Sequence, residues 1–403
     1  MGSSSAPRSS ATATCALPSI RIASGSSSPP SAINRIRRAL LVAAVVVVAA
    51  CRTLAPPDPG RLAALVPRLG DLLLVGFHGT AGEGDPELER LLCETRVGNA
   101  LLFGRNVQSP EQVAALTAWM HARGLACTGR PLLIAVDAEG GQVMRLGSKA
   151  GYTDTLSHRE LGESGDLTAT ELEARRIAGR LRRAGIDWNL APVVDVGYNA
   201  ANPVIVGTGR AFSAEAAAVL AHARAYLGGM HAAGVLTALK HFPGHGSSFA
   251  DSHLGFVDVT DTASAAVELA PYRALIAEGV VDSVMTAHVF NRHLDARYPA
   301  TLSRPTIGGL LRGDVGWRGV VVSDDLRMGA IEQHYGLADA AVLALEAGVD
   351  VLLIADDRLA DGRSAARVAV DALRHALERG RLAPEVVEAA LARMDALRAR
   401  AAR

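Results

Sequence analysis

Lysine is nearly missing: Lys149 and Lys240 are the two in 403 residues, although Lys and Arg together number 41 and balance 41 Asp and Glu. The formal net charge is therefore zero, and no long basic stripe occurs. That removes the electrostatic footprint on which nucleic-acid binding depends. No glycine fingerprint of the dinucleotide-binding kind follows the first strand-like run, and no P-loop spacing occurs anywhere. Apolar runs are short as well. The stretch from Ala39 to Ala50 falls below the ~20 residues that a membrane-spanning helix needs. Cysteine is limited to four positions, Cys15, Cys51, Cys93 and Cys127.

What is present is a globular composition, 49% hydrophobic and 20% charged, in a chain long enough for one large domain or two ordinary ones. The first 32 residues are rich in Ser, Ala and Pro, show no apolar period and read as a disordered leader. In the segment 33–51, Arg35, Arg37 and Arg38 precede the apolar run, which ends in Val48-Ala49-Ala50-Cys51. A basic flank, a short apolar core and small residues before a break have the layout of a secretory signal. Its end resembles a bacterial lipobox, with Cys51 as the residue that would be lipidated. The expectation is an exported, membrane-anchored lipoprotein, or a cytoplasmic protein if the signal is unused. Export would permit a disulfide between Cys93 and Cys127, whereas two buried free thiols fit the spacing equally well.

Residues 52–403 alternate short apolar runs with longer amphipathic ones. The runs lie at 71–77, 99–104, 131–137, 186–196, 235–242, 283–290, 319–325 and 348–355. Near-continuous hydrophobicity suits strands buried on both faces of a parallel sheet. Between them lie helices with readable ends: Ser109, Pro110 and Gln112 form a start signal, and Gly124 is the expected stop. Eight strands alternating with helices predict an α/β fold, a (β/α)8 TIM barrel in a single catalytic domain. Catalytic groups of such barrels sit at the C-terminal strand ends. There the sequence puts Asp137, Asp195, Lys240 with His241, His288, and Asp324 with Asp325.

The densest polar stretch is KHFPGHGSSFADSHLGF, Lys240 to Phe256. Its His and Asp residues are metal-ligand types, but Pro243, Gly244 and Gly246 break the helix that would align His241 with His245, so no metal site is assigned. No cofactor is assigned either. An acid/base reading fits better. Asp251 lies two residues before His253, where a tight turn would set the carboxylate against the imidazole, orient the ring and favour its charged form. Asp324, held ionised at the end of the seventh strand, is a nucleophile of the complementary kind. Gly244 and Gly246 are expected to give the loop freedom to swing. Ser247, Ser248 and Phe249 read as loop filler.

KHFPGHG followed by DSH, VDAEGG with a downstream arginine, and VVSDDLRM together resemble glycoside hydrolase family 3, and most of all its β-N-acetylglucosaminidase branch. The resemblance implies Asp324 as the nucleophile of a covalent glycosyl-enzyme, His253 as the acid/base and Asp251 as its partner. It also implies Asp137, Arg145, Arg210, Lys240 and His241 as sugar-binding residues. Most members of the family take the acid/base from a second domain, for which this chain leaves little room; the DSH motif supplies the substitute.

The expected activity is retaining removal of terminal β-linked N-acetylglucosamine, from wall muropeptides or chitin-like chains. Alternatives on the same fold are transfer to phosphate rather than water, and β-glucosidase activity. A sugar-binding surface lipoprotein is the non-enzymatic alternative. Apart from the sugar and a lipid anchor no partner is expected, and the sequence leaves oligomeric state open.

Overall fold

Eight parallel strands pair in the order β7-β6-β5-β4-β3-β2-β1-β8. These are β1 (Leu73–Gly76), β2 (Asn99–Leu102), β3 (Leu133–Val136), β4 (Trp188–Asn189), β5 (Leu236–Phe242), β6 (Ser283–Thr286), β7 (Val320–Val322) and β8 (Leu352–Ile354). Val351 bridges in parallel to Val322, so the row closes on itself. The computed structural model describes residues 58–401. The expected leader, the signal segment and Cys51 lie outside the described residues.

Every strand falls inside one of the eight apolar runs, and nearly all strand side chains are buried. Those facing out are covered by helices, among them Leu167–Arg183 and Ala216–His231, which pack on each other. Ser109 caps the helix Pro110–Thr128 by accepting from the Gln112 amide at 3.2 Å, as expected. The helix does not stop at Gly124. That residue is buried against Leu132, where a Cβ would come within 3.1 Å of the leucine Cβ. The stop is Gly129, in the left-handed region at φ 72°. Gly124 is thus a packing glycine rather than a terminator.

The two ends of the barrel use polar residues differently. At the N-terminal end, aspartates that precede one strand accept an amide hydrogen from a neighbouring strand. Asp187 accepts from Ile134 N at 2.9 Å, Asp282 from Thr237 N at 2.8 Å and Asp350 from Val321 N at 2.8 Å. Arg312 and Arg393 neutralise the fully buried Asp350. These groups satisfy backbone donors and stitch the barrel shut. At the C-terminal end the polar groups instead converge on open space.

Cys93 and Cys127, near the ends of adjacent helices, form a disulfide with a Cα–Cα distance of 4.9 Å. The peptide bonds Ala191–Pro192, Lys240–His241 and Phe242–Pro243 are cis. No helix among the described residues is long and apolar enough to cross a membrane.

Candidate active site

A cavity of about 460 Å³ opens at the C-terminal ends of the strands. All eight residues expected from the sequence line it: Asp137, Arg145, Arg210, Lys240, His241, Asp251, His253 and Asp324. They come from the ends of β3, β5 and β7 and from the loops that follow β3, β4 and β5. In sequence they span almost 190 residues, and only barrel closure brings them together.

One wall is a charge cluster centred on Glu139. Its carboxylate accepts from Lys240 Nζ at 2.7 Å and, in a bidentate pair, from Arg210 Nε and Nη2 at 2.8 Å each. Lys240 also donates to Asp137 Oδ1 at 2.8 Å, and Arg145 lies 3.8 Å from Asp137 Oδ2. Burial works against the charges of Glu139, Arg210 and Lys240, and opposite charges outweigh it. Glu139 is held well below the usual carboxylate range by Arg210 and Lys240 despite complete burial. For Lys240, burial lowers the pKa, but Asp137 and Glu139 more than offset it, so the net shift is upward. Glu139, Arg210 and Lys240 are therefore charged near neutrality. Asp137, Arg145 and Arg210 still present polar atoms to the cavity.

Beside it, His241 Nδ1 faces Asp195 Oδ2 at 2.6 Å. Asp195 also accepts from the amide of His245 at 2.8 Å, and it stays ionised because the His241 pairing overcomes its burial. The pairing leaves His241 Nε2 toward the cavity, 3.3 Å from Arg210 Nη2.

Asp324 stands two residues beyond β7, after Ser323. Burial opposes its charge, yet the rings of His288, His241 and His253 favour it, and its pKa is held at about 2. One oxygen accepts from the Asp325 amide at 2.8 Å. Asp325 differs: burial raises its pKa to about 6, and Oδ1 accepts from the amides of Ala355 and Arg327 at 2.9 and 3.1 Å. Of the SDD pair, Asp324 has the available, charged carboxylate, while Asp325 holds backbone.

The third part is the loop after β5. His253 Nδ1 faces Asp251 Oδ1 at 2.6 Å, and the His253 amide donates to the same oxygen at 2.9 Å. This is the tight turn expected from DSH. It leaves Nε2 of a ring that is 58% exposed directed away from its partner. The backbone carbonyls of Ser252 and His253 accept from the amides of Ala330 and Gly329, at the start of the helix Gly329–Ala347 that follows the Asp324 turn. The end of a helix has amides to spare, and here they hold the loop.

Two expectations about this loop need correction. Gly244 and Gly246 do not loosen it. A Cβ on Gly244 would come within 2.6 Å of Glu268 Cδ, and one on Gly246 would collide with the carbonyl oxygen of Val196. Both are glycine because the chain is packed tightly there. Nor are Ser247 and Ser248 filler. Both are buried, and Ser248 Oγ bonds His245 Nδ1 at 2.8 Å while accepting from Asn202 Nδ2 at 3.1 Å. His245, bonded also to Ser252 Oγ at 3.1 Å, has its pKa pushed down by burial to about 4 and is a neutral structural ring. The exposed part of the loop begins at Phe249.

Sequence reasoning gave no role to Glu139, although it lies within the VDAEGG motif. A signal was available. Asp137 and Glu139 are two apart on an extended chain, so both point to one side. A buried lysine facing that side also needed more than one carboxylate.

Residues 65–397 match the glycosyl hydrolase family 3 N-terminal domain. A β-hexosaminidase of Alkalilimnicola ehrlichii is 39% identical over 290 residues, 70% of this chain and 80% of that one. A glycoside hydrolase family 3 β-N-acetylglucosaminidase from Paenibacillus sp. superposes with a TM-score of 0.77 at 38% identity. That match covers 84% of this chain and 62% of the Paenibacillus protein, so the chain spans less than two thirds of that relative's length. A β-N-acetylhexosaminidase of Beutenbergia cavernae matches with a TM-score of 0.75 at 32% identity, covering 83% of this chain and 98% of its own. A family match over most of the chain, a closed barrel, and a carboxylate and a His–Asp pair lining one cavity agree: this chain belongs to glycoside hydrolase family 3.

Proposed function

We propose that this chain is a retaining exo-β-N-acetylglucosaminidase. The observation that carries the reading is that an ionised Asp324 and the Asp251–His253 pair line one sugar-sized cavity together with a charged hydrogen-bonding cluster. The relatives named as β-hexosaminidases support the choice of sugar.

In the first step an Asp324 oxygen attacks the anomeric carbon as the bond to the leaving oxygen breaks, and His253 Nε2 gives that oxygen a proton. Asp251, 2.6 Å from Nδ1, orients the ring and keeps Nε2 aimed outward. In the second step the neutral ring takes a proton from water. The oxygen of that water attacks the anomeric carbon and releases Asp324 as a carboxylate. Asp137, Arg145, Arg210, Lys240 and His241 hold the sugar hydroxyls, which fixes the anomeric carbon over Asp324. Replacing Asp324 by alanine should abolish chromophore release from an aryl β-N-acetylglucosaminide; unchanged release would defeat the assignment. Running the assay with and without inorganic phosphate and looking for sugar 1-phosphate identifies the acceptor.

Export and a lipid anchor at Cys51 belong to the same proposal, with wall fragments or chitin-like chains as substrate. The basic–apolar–Cys layout of residues 35–51 supports it, and the Cys93–Cys127 disulfide fits an oxidising compartment. Incorporation of labelled fatty acid that persists after Cys51→Ser would overturn it.

A further inference from the structure

Arg210 and His253 stand on different loops, one after β4 and one after β5, yet both have to be placed on the same sugar. Asn202 joins the two loops. It lies in the loop that carries Arg210, is 1% exposed, and uses both ends of its side-chain amide. Oδ1 accepts from the amides of Val204 and Ile205 at 3.0 and 2.7 Å. Nδ2 donates across to the loop after β5, to the carbonyls of His245 and Gly246 at 2.8 and 3.3 Å and to Ser248 Oγ at 3.1 Å. Amides on one side and carbonyls on the other fix which end is the oxygen.

Each end leads to a residue of the site. The turn held by Oδ1 directs its carbonyls at Arg210: Val204 O accepts from Arg210 Nη1 at 3.3 Å, and Ile205 O accepts from the Arg210 amide at 2.9 Å. On the Nδ2 side, the His245 ring is bonded through Nδ1 to Ser248 Oγ at 2.8 Å and through Nε2 to Ser252 Oγ at 3.1 Å. Ser252 is 2% exposed and immediately precedes the exposed His253. Asn202, Ser248, His245 and Ser252 thus form an unbroken hydrogen-bonded chain from the Arg210 turn to the neighbour of the acid. The helix Gly329–Ala347 holds the carbonyls of Ser252 and His253, whereas this chain holds the Ser252 side chain.

A general acid works only within hydrogen-bond reach of the leaving oxygen, so the placement of its loop bears directly on rate. We propose that Asn202 is a positioning residue that sets the acid His253 relative to the sugar held by Arg210. Asn202 does not line the cavity, and it acts through the two loops it joins. Asparagine suits the position because one side chain has to accept from one loop and donate to the other; an ionised aspartate only accepts, and an aliphatic side chain does neither. The inference rests on the hexosaminidase reading and adds to it a residue remote from the substrate.

The test is kcat/KM on two substrates, an N-acetylglucosamine dimer with its poor leaving group and an activated aryl β-N-acetylglucosaminide. Their ratio isolates proton donation, because an activated leaving group needs little of it. Asn202→Asp at pH 7 keeps the acceptor for Val204 and Ile205, and with it the Arg210 turn, but removes the donors to the acid loop. The ratio of dimer to aryl substrate should fall about 10-fold or more, with less than about threefold loss on the aryl substrate. Ser252→Ala, at the far end of the chain, should lower the ratio about 2- to 10-fold, the worth of one hydrogen bond. Because both act along one chain, the double variant should lose less than the product of the two. Thermal unfolding reports whether each variant is folded at the assay temperature, and Ser252→Ala decides alone if Asn202→Asp is not. An unchanged ratio, equal losses on both substrates or fully multiplicative losses would overturn the proposal, since a merely structural role moves both substrates together. Wild type that turns over neither substrate would instead overturn the hexosaminidase reading, and the proposal with it.

Discussion

Glu139→Gln tests whether the buried charge cluster holds the sugar-binding residues in place. The carboxylate accepts three charge-assisted hydrogen bonds, from Lys240 Nζ and from Arg210 Nε and Nη2. Oε1 serves both cations and Oε2 serves Arg210. A glutamine of the same shape must turn its NH2 toward one of those oxygens' donors, so every orientation sets donor against donor and leaves two buried cations short of one negative charge. Breaking a buried pair in this way costs about 3–5 kcal/mol. The deficit has a pH signature. Because the folded pKa of Glu139 is depressed, its stabilisation is fully present above the unfolded value of about 4.3 and is lost as pH falls toward the folded one. The gap between wild type and variant in urea unfolding should thus be about 3–5 kcal/mol at pH 7 and about 1 kcal/mol narrower at pH 3.5. With Arg210 and Lys240 displaced, kcat/KM should fall about 10-fold or more. A variant within about 0.5 kcal/mol of wild type at pH 7, or a gap that widens toward acid, would refute the reasoning.

Two further outcomes are expected. His253→Ala should lower kcat by about 10²- to 10⁴-fold on substrates with poor leaving groups and much less on activated aryl ones, and Asp251→Asn should fall between; equal losses on both leaving groups would argue against proton donation. Gly246→Ala, which drives a Cβ into the Val196 carbonyl, should destabilise the fold by about 1–3 kcal/mol in thermal or urea unfolding; wild-type stability would mean that the close packing after β5 is not a constraint.

The barrel was legible because parallel strands buried on both faces are written as unbroken apolar runs, and all eight strands lie inside such runs. The positions of the site residues were legible for a related reason. A polar residue that ends an apolar strand stands out, as Asp137, Lys240 and Asp324 do. Residues whose role depends on a partner far along the chain were harder to read. Glu139 gains its meaning from Arg210, 71 residues on. The capping aspartates 187, 282 and 350 resemble Asp137 in sequence and differ only in which end of a strand they occupy. Gly124, Gly244 and Gly246 looked like a helix stop and a hinge, because a packing glycine and a flexible one are the same letter; only their neighbours Leu132, Glu268 and Val196 tell them apart.

The central claim is that Asp324 becomes covalently bonded to the sugar. The direct measurement is mass spectrometry of peptides from enzyme quenched during turnover of an activated N-acetylglucosaminide whose second step is slow. The account predicts one added N-acetylglucosaminyl mass on the peptide that contains Asp324, absent in Asp324→Ala. An adduct on another residue, or turnover that gives an inverted anomer with no adduct, would contradict it.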